Sequence, residues 1–225
     1  MDGWTHALQA LWVSVKVASA ATLLVAPAAL ALGWLLARRS FRGKSLIETC
    51  VALPLVLPPT AVGYLLLRLF GRGGPLGRER LGFDPDVLLT WKGAVLAAAV
   101  MSLPLCARSA RTAFEGVPPR LEQMGRTLGL SRTGVLLRIT LPLARDGLLA
   151  AVVLGFGRAL GEFGATVVVA GNIPGRTQTL ALALFDDILL GRDRRALALV
   201  GLSAALAFAL VLWVERLQGR ARSRT

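Results

Sequence analysis

Long apolar runs bounded by clustered arginines constrain this chain more than any other feature. A helix that crosses a bilayer needs about 20 predominantly apolar residues. Residues 11–36, 46–70, 87–107, 147–170 and 196–214 each supply such a run or nearly so. Of 225 residues, 17% are charged and 55% hydrophobic, whereas soluble domains are about a quarter charged. The pattern predicts an all-α integral membrane protein of about five transmembrane helices, forming one domain over residues 1–225. The first run is too long for a signal-peptide core and has no clear cleavage site, so it reads as a retained helix.

The formal charge of +13 would suit a nucleic-acid binder. The basic residues instead flank the apolar runs, and no basic face interleaved with aromatics is present, so nucleic acid is excluded as a partner. Basic residues concentrate in cytoplasmic loops. With the N-terminus outside, the inner loops hold fifteen, at positions 38–44, 108–145 and 216–224, and the outer loops eight. The N-terminus is therefore expected outside and the C-terminus inside. Lys16 and Lys92 lie near ends of their runs, where long side chains can reach the interface. Residues 177–190 are apolar but too short to span, which predicts an interfacial or re-entrant helix.

Little in the sequence supports chemistry. His6 is the single histidine, and Cys50 and Cys106 show no metal-ligand spacing, so no metal site or catalytic cluster can be assembled. Phe41-Arg42-Gly43-Lys44-Ser45 ends like a phosphate-binding loop, but Arg38 stands where its first glycine is required and no strand precedes it. The chain is thus expected to bind no cofactor, and any ATP and Mg must sit on another polypeptide. A self-contained secondary transporter would need a coupling-ion site of several buried carboxylates and often an internal repeat; only Glu162 lies deep in an apolar run, and no repeat is present.

Two interruptions stand out within the runs. Pro54, Pro58 and Pro59 predict a kinked or broken second helix packed inside protein, where neighbours satisfy the freed carbonyls. In the fourth run, Arg158 and Glu162 are spaced to share a helical face, together with Ala151, Gly155 and Thr166. Intramembrane charges mark pathways or functional pairs by default. Arg158, Glu162 and Thr166 are therefore candidates for a translocation pathway or gate, or for a dimer interface; simple mutual neutralisation of Arg158 and Glu162 is the alternative. Gly157 and Gly161 form a small-residue ridge suited to tight helix packing.

The cytoplasmic loop at residues 108–145 is long enough to be structured and to carry a function. Residues 111–116 extend the third helix, and Val117-Pro118-Pro119 break it. Residues 121–128 read as a short helix that Gly129 ends in a left-handed cap. Ser131 caps a further helix at 133–140, and Pro142 is expected to interrupt it before the fourth span. Two short helices at an angle make a knob that can dock into a soluble partner.

The stretch LEQMGRTLGLSRTGVLLRITLP resembles the EAA loop of ABC importer permeases. That pattern is Glu-Ala-Ala, three residues, Gly, nine residues, then Ile-x-Leu-Pro. Here Gly129 is followed by nine residues and then Ile139, Thr140, Leu141 and Pro142. The Glu-Ala-Ala positions fall on Gln123, Met124 and Gly125, a departure, with Glu122 one place earlier. The resemblance implies an ATPase-coupling loop comprising Glu122, Gln123, Met124, Gly125, Arg126, Thr127, Gly129, Ser131, Ile139 and Pro142. LPLVLPP with Gly63-Tyr64, GRGGPLG, and GNIPGRTQTLALALFD each resemble the molybdate permease type; RALGEFGAT resembles the wider sulfate and molybdate group. The resemblance implies a homodimer in the cytoplasmic membrane, docked on two ATP-binding-cassette subunits and fed by an extracytoplasmic molybdate-binding protein. It also implies transport of molybdate and of isosteric tungstate, with sulfate or thiosulfate as the alternative cargo.

Overall fold

The computed structural model describes residues 3–222, with side chains to residue 219; Arg224 and the side chains of Arg220 and Arg222, counted above with the inner loops, lie outside that description. The described chain is helical. Helix α1 (Gly3–Arg38) has 36 residues, about 54 Å at 1.5 Å per residue, and so extends beyond a hydrocarbon core of about 30 Å. Helix α2 (Lys44–Val56) and helix α3 (Pro59–Phe70) follow, then the short α4 (Arg78–Leu81) and the long α5 (Trp91–Glu115). The cytoplasmic knob comprises α6 (Pro119–Thr127) and α7 (Arg132–Val135), and a π-helical turn at Leu136–Thr140 leads into α8 (Leu141–Leu160). Helices α9 (Gly164–Ala170), α10 (Leu180–Leu189) and α11 (Asp193–Arg222) complete the described chain.

Among the described residues, four helices are long and apolar enough to cross a membrane, and the α2–α3 pair, bent by 109°, supplies a fifth span if taken as one. The bundle is built on α5, which packs against both α1 and α8, and these two also meet each other. Small residues make this possible. Ala18, Ala21 and Ala29 of α1 meet Ala94, Ala98 and Ala107 of α5 in one buried cluster. Lipid tails are as apolar as leucine, so close backbone approach rather than exclusion of water holds such helices together. At Gly33 a Cβ would stand 2.8 Å from the Ala110 Cβ, which shows how close α1 and α5 come.

The three prolines of the second span divide their work. Pro54 is absorbed within α2, Pro58 is the N-cap of α3 and Pro59 is its first residue, where a missing N–H costs nothing. The span is broken, as expected. The expected burial inside protein holds for α3, which buries Val62 and Gly63, and not for α2, which buries no residue within the chain and leaves Leu46, Leu53 and Val56 exposed.

Pro142 does not interrupt the fourth span. It lies in the first turn of α8, and the span runs unbroken from Arg132 to Leu160. The π-helical turn is the reason: Leu141 N–H reaches back to the Leu136 carbonyl, an i to i−5 bond that shifts the ladder ahead of the proline. The fourth span breaks instead at Gly161–Phe163, so residues 147–170 are not one helix.

At the end of the bundle opposite the knob, the Lys16 ammonium stands 4.2 Å from the Trp91 ring centre, and Lys92 pairs with Asp86 at 3.0 Å. Ser14 Oγ accepts the Leu180 N–H at 2.7 Å, anchoring the start of α10 against α1. Helix α10 has 10 residues and is too short to span, as expected.

Candidate functional site

The knob begins where α5 ends. Val117 and Pro118 turn the chain, and Pro119 starts α6. Gly129 then takes φ +86°. Its N–H donates to the Arg126 carbonyl and the Leu130 N–H to the Gly125 carbonyl, both at 3.0 Å. This is the paired-bond Schellman cap that a left-handed glycine permits. Ser131 Oγ accepts the Gly134 N–H at 3.1 Å and caps α7 in turn. Both expected punctuation marks are therefore where the sequence puts them.

Helix α6 has two faces. Leu121, Gln123, Met124, Arg126, Thr127 and Leu128 are exposed. Glu122 and Gly125 are buried. A Cβ on Gly125 would overlap the Ile139 side chain, so the residue at this position lets α6 sit directly on the π-helical turn. Glu122 Oε1 accepts from Arg38 Nε at 3.0 Å and from Thr140 Oγ1 at 2.8 Å. The carboxylate thus faces into the protein, away from the surface a partner would touch. Pro142 is exposed.

The second candidate region lies in the bundle. Arg158 Nη1 donates to Glu162 Oε2 at 2.7 Å, and the Ala165 N–H donates to Glu162 Oε1 at 2.9 Å. Glu162 is 2% exposed. It neutralises Arg158 with one oxygen and with the other satisfies an orphan amide at the start of α9. Because the helix ends at Leu160, Ala151, Gly155 and Thr166 do not form one continuous face with this pair. Ala151, Gly155 and Thr166 are all buried in the chain, with Gly155 against Cys106. The Thr166 hydroxyl has no hydrogen-bond partner among the described residues. Gly157 and Gly161 do not make a tight ridge either. A Cβ on Gly157 would meet only Leu210, at 3.8 Å, and both glycines line an apolar crevice between α8 and α11 together with Arg158.

The two interrupted spans touch at their interruptions. A Cβ on Gly164 would lie 2.8 Å from the Pro59 Cβ, and one on Gly63 would lie 2.9 Å from the Ala165 carbonyl oxygen. Irregular backbone at membrane depth is tolerated where it is buried in protein or lines a cavity. Sequence reading finds the first break and takes residues 147–170 as one helix; the second break and its meeting with the first are tertiary facts. The pair of glycines flanking Glu162-Phe163 was the available signal for the second break. Gly164→Val should overpack this crossing and cost about 1–3 kcal/mol; thermal unfolding of the purified protein checks it, and an unchanged midpoint would show that the breaks can separate freely.

Residues 29–223 match the family described as binding-protein-dependent transport system inner membrane components. The chain belongs to that family. Among curated relatives, it is 47% identical over 219 residues to the molybdenum transport system permease protein ModB of Escherichia coli strain K12, covering 96% of this chain and 95% of that one. It is 33% identical over 191 residues to the sulfate transport system permease protein CysT of Salmonella typhimurium, covering 85% of this chain and 69% of that one. Its fold is similar to that of a chain in an inward-facing structure of the MetNI methionine ABC transporter, with TM-score 0.74, 17% identity, and coverage of 97% of this chain and 95% of that one. This permease is accordingly a transport component, a multi-pass protein of the cytoplasmic membrane.

Proposed function

We propose that the chain is the membrane permease of an ATP-driven importer that carries molybdate, and with it tungstate, into the cytoplasm. The observation that carries the reading is the α6 knob: a short helix, Schellman-capped at Gly129, whose exposed face of Gln123, Met124, Thr127 and Leu128 projects from the end of the bundle. Such a body can fit a groove in a soluble ATPase. The molybdate assignment is supported by 47% identity over nearly the full length of the Escherichia coli molybdenum permease, against 33% to the sulfate permease.

In this reading two copies of the chain associate on two ATP-binding-cassette subunits, which hold ATP and Mg. An extracytoplasmic binding protein delivers the oxyanion and supplies selectivity. The N-terminus is outside and the C-terminus inside, with the knob in the cytoplasm. The unburied α2, with Leu46, Leu53 and Val56 exposed, is available to the second copy. Arg158 and Glu162 hold the shape of the break between α8 and α9, near where the two interrupted spans cross.

Labelled molybdate uptake in cells lacking the chain, with and without its restoration, tests the function. Uptake should be lost and rescued, with tungstate competing and sulfate not. Uptake blocked by sulfate would move the cargo to sulfate or thiosulfate. Molybdate uptake undiminished by the loss, in a strain without other carriers, would remove molybdate as the substrate.

A further inference from the structure

Three parts of the fold that are distant in sequence converge on one carboxylate at the base of the knob. Arg38 ends α1, and its Nε and Nη2 both lie 3.0 Å from Glu122 Oε1. Arg38 Nη2 also donates to the Val117 carbonyl at 2.9 Å, in the turn between α5 and α6. Thr140, at the end of the π-helical turn that leads into α8, donates its hydroxyl to the same Glu122 Oε1 at 2.8 Å. The side chains of Arg38 and Glu122 are 15% and 11% exposed, and Thr140 is 1% exposed.

We propose that Arg38, acting through Glu122 and Thr140, is the positioning residue that locks the knob to α1 and α8, so that a push on α6 moves both spans together. This rests on the importer reading above. A one-residue shift along a helix rotates a side chain by about 100°. The carboxylate at position 122 points inward, whereas Gln123, at the position of the family glutamate, is exposed. Glu122 is therefore spent on the chain's own frame. Charge-assisted bonds to a largely buried acceptor are stronger and more directional than packing contacts alone. The Ile139 side chain packs against Gly125 at the same joint. Removal of the arginine fork leaves α6 attached by its turns and able to swing.

The test is reconstitution of the complete transporter, with its ATPase subunits and binding protein, in proteoliposomes, reading molybdate taken up per ATP hydrolysed. Arg38→Ala should lower that ratio about fivefold while the ATPase subunits still co-purify. Arg38→Lys, which keeps the charge but not the fork, should fall between Arg38→Ala and wild type. Thr140→Val, which removes one bond and little volume, should lower the ratio measurably even if Arg38→Ala fails to assemble. A wild-type ratio in Thr140→Val and in each assembled Arg38 variant would overturn the lock. So would uptake and hydrolysis falling in step, because a merely structural loss scales both. Absence of ATP-driven uptake by the wild-type assembly would overturn the importer reading and the lock with it.

Discussion

Gly129→Pro should reduce co-purification of the ATPase subunit to background while the chain remains inserted in the membrane. Gly129 holds φ +86°, and proline is locked near −65°. Proline also lacks the N–H that Gly129 donates to the Arg126 carbonyl at 3.0 Å. With the turn unable to form, the Leu130 N–H moves away from the Gly125 carbonyl and the last turn of α6 unwinds. The exposed residues Met124 and Leu128 then no longer stand on one rigid helix. Gly129→Ala is the informative companion. A left-handed alanine costs about 1–2 kcal/mol, the hydrogen bonds survive, and the open space around this glycine admits the methyl group. Alanine should therefore retain a substantial share of docking. Deletion of residues 121–129 should match proline. The spans away from the knob do not depend on this cap, so membrane insertion is the internal control. Normal ATPase recovery with the deletion would show that the knob is not the docking element.

The features read correctly from the sequence are local. Gly129 followed by a capping Ser131 predicts the break between α6 and α7, because both preferences arise within a few residues of backbone. The five apolar runs predict the spans, because length and hydropathy are what a bilayer selects. The features misread depend on backbone adjustment or on distant partners. Pro142 reads as a break, but a π-helical turn at Leu136–Thr140 absorbs it. Residues 147–170 are apolar apart from Arg158 and Glu162, and hydropathy alone does not report that the helix stops at Leu160. Arg38 counts in the sequence as an inner-loop cation and as the residue that spoils a phosphate-loop pattern, with no sign of a partner. Its partner Glu122 is 84 residues away, and no periodicity links them. Glu122 itself is identified as a residue of the loop, but the face it occupies follows from the register of α6 and from the contact of Gly125 with Ile139.

Arg158→Met should be among the most damaging single substitutions in the bundle, and adding Glu162→Gln should repair much of the damage. Glu162 is almost wholly buried and has two partners, Arg158 Nη1 at 2.7 Å and the Ala165 N–H at 2.9 Å. Removal of the arginine leaves a buried carboxylate with a single amide donor. Breaking a buried ion pair from one side costs about 3–5 kcal/mol, enough to lower the folded fraction and uptake together. In the double variant no charge remains to be compensated, and the glutamine oxygen can still accept the Ala165 N–H that starts α9. The cycle of both single variants and the double isolates the coupling between the two side chains. Recovery of both thermal stability and uptake in the double variant is the result expected if the pair serves to hold the break. Recovery of stability without uptake would assign Arg158 a direct part in moving the anion, since its charge would then be needed after the fold no longer requires it.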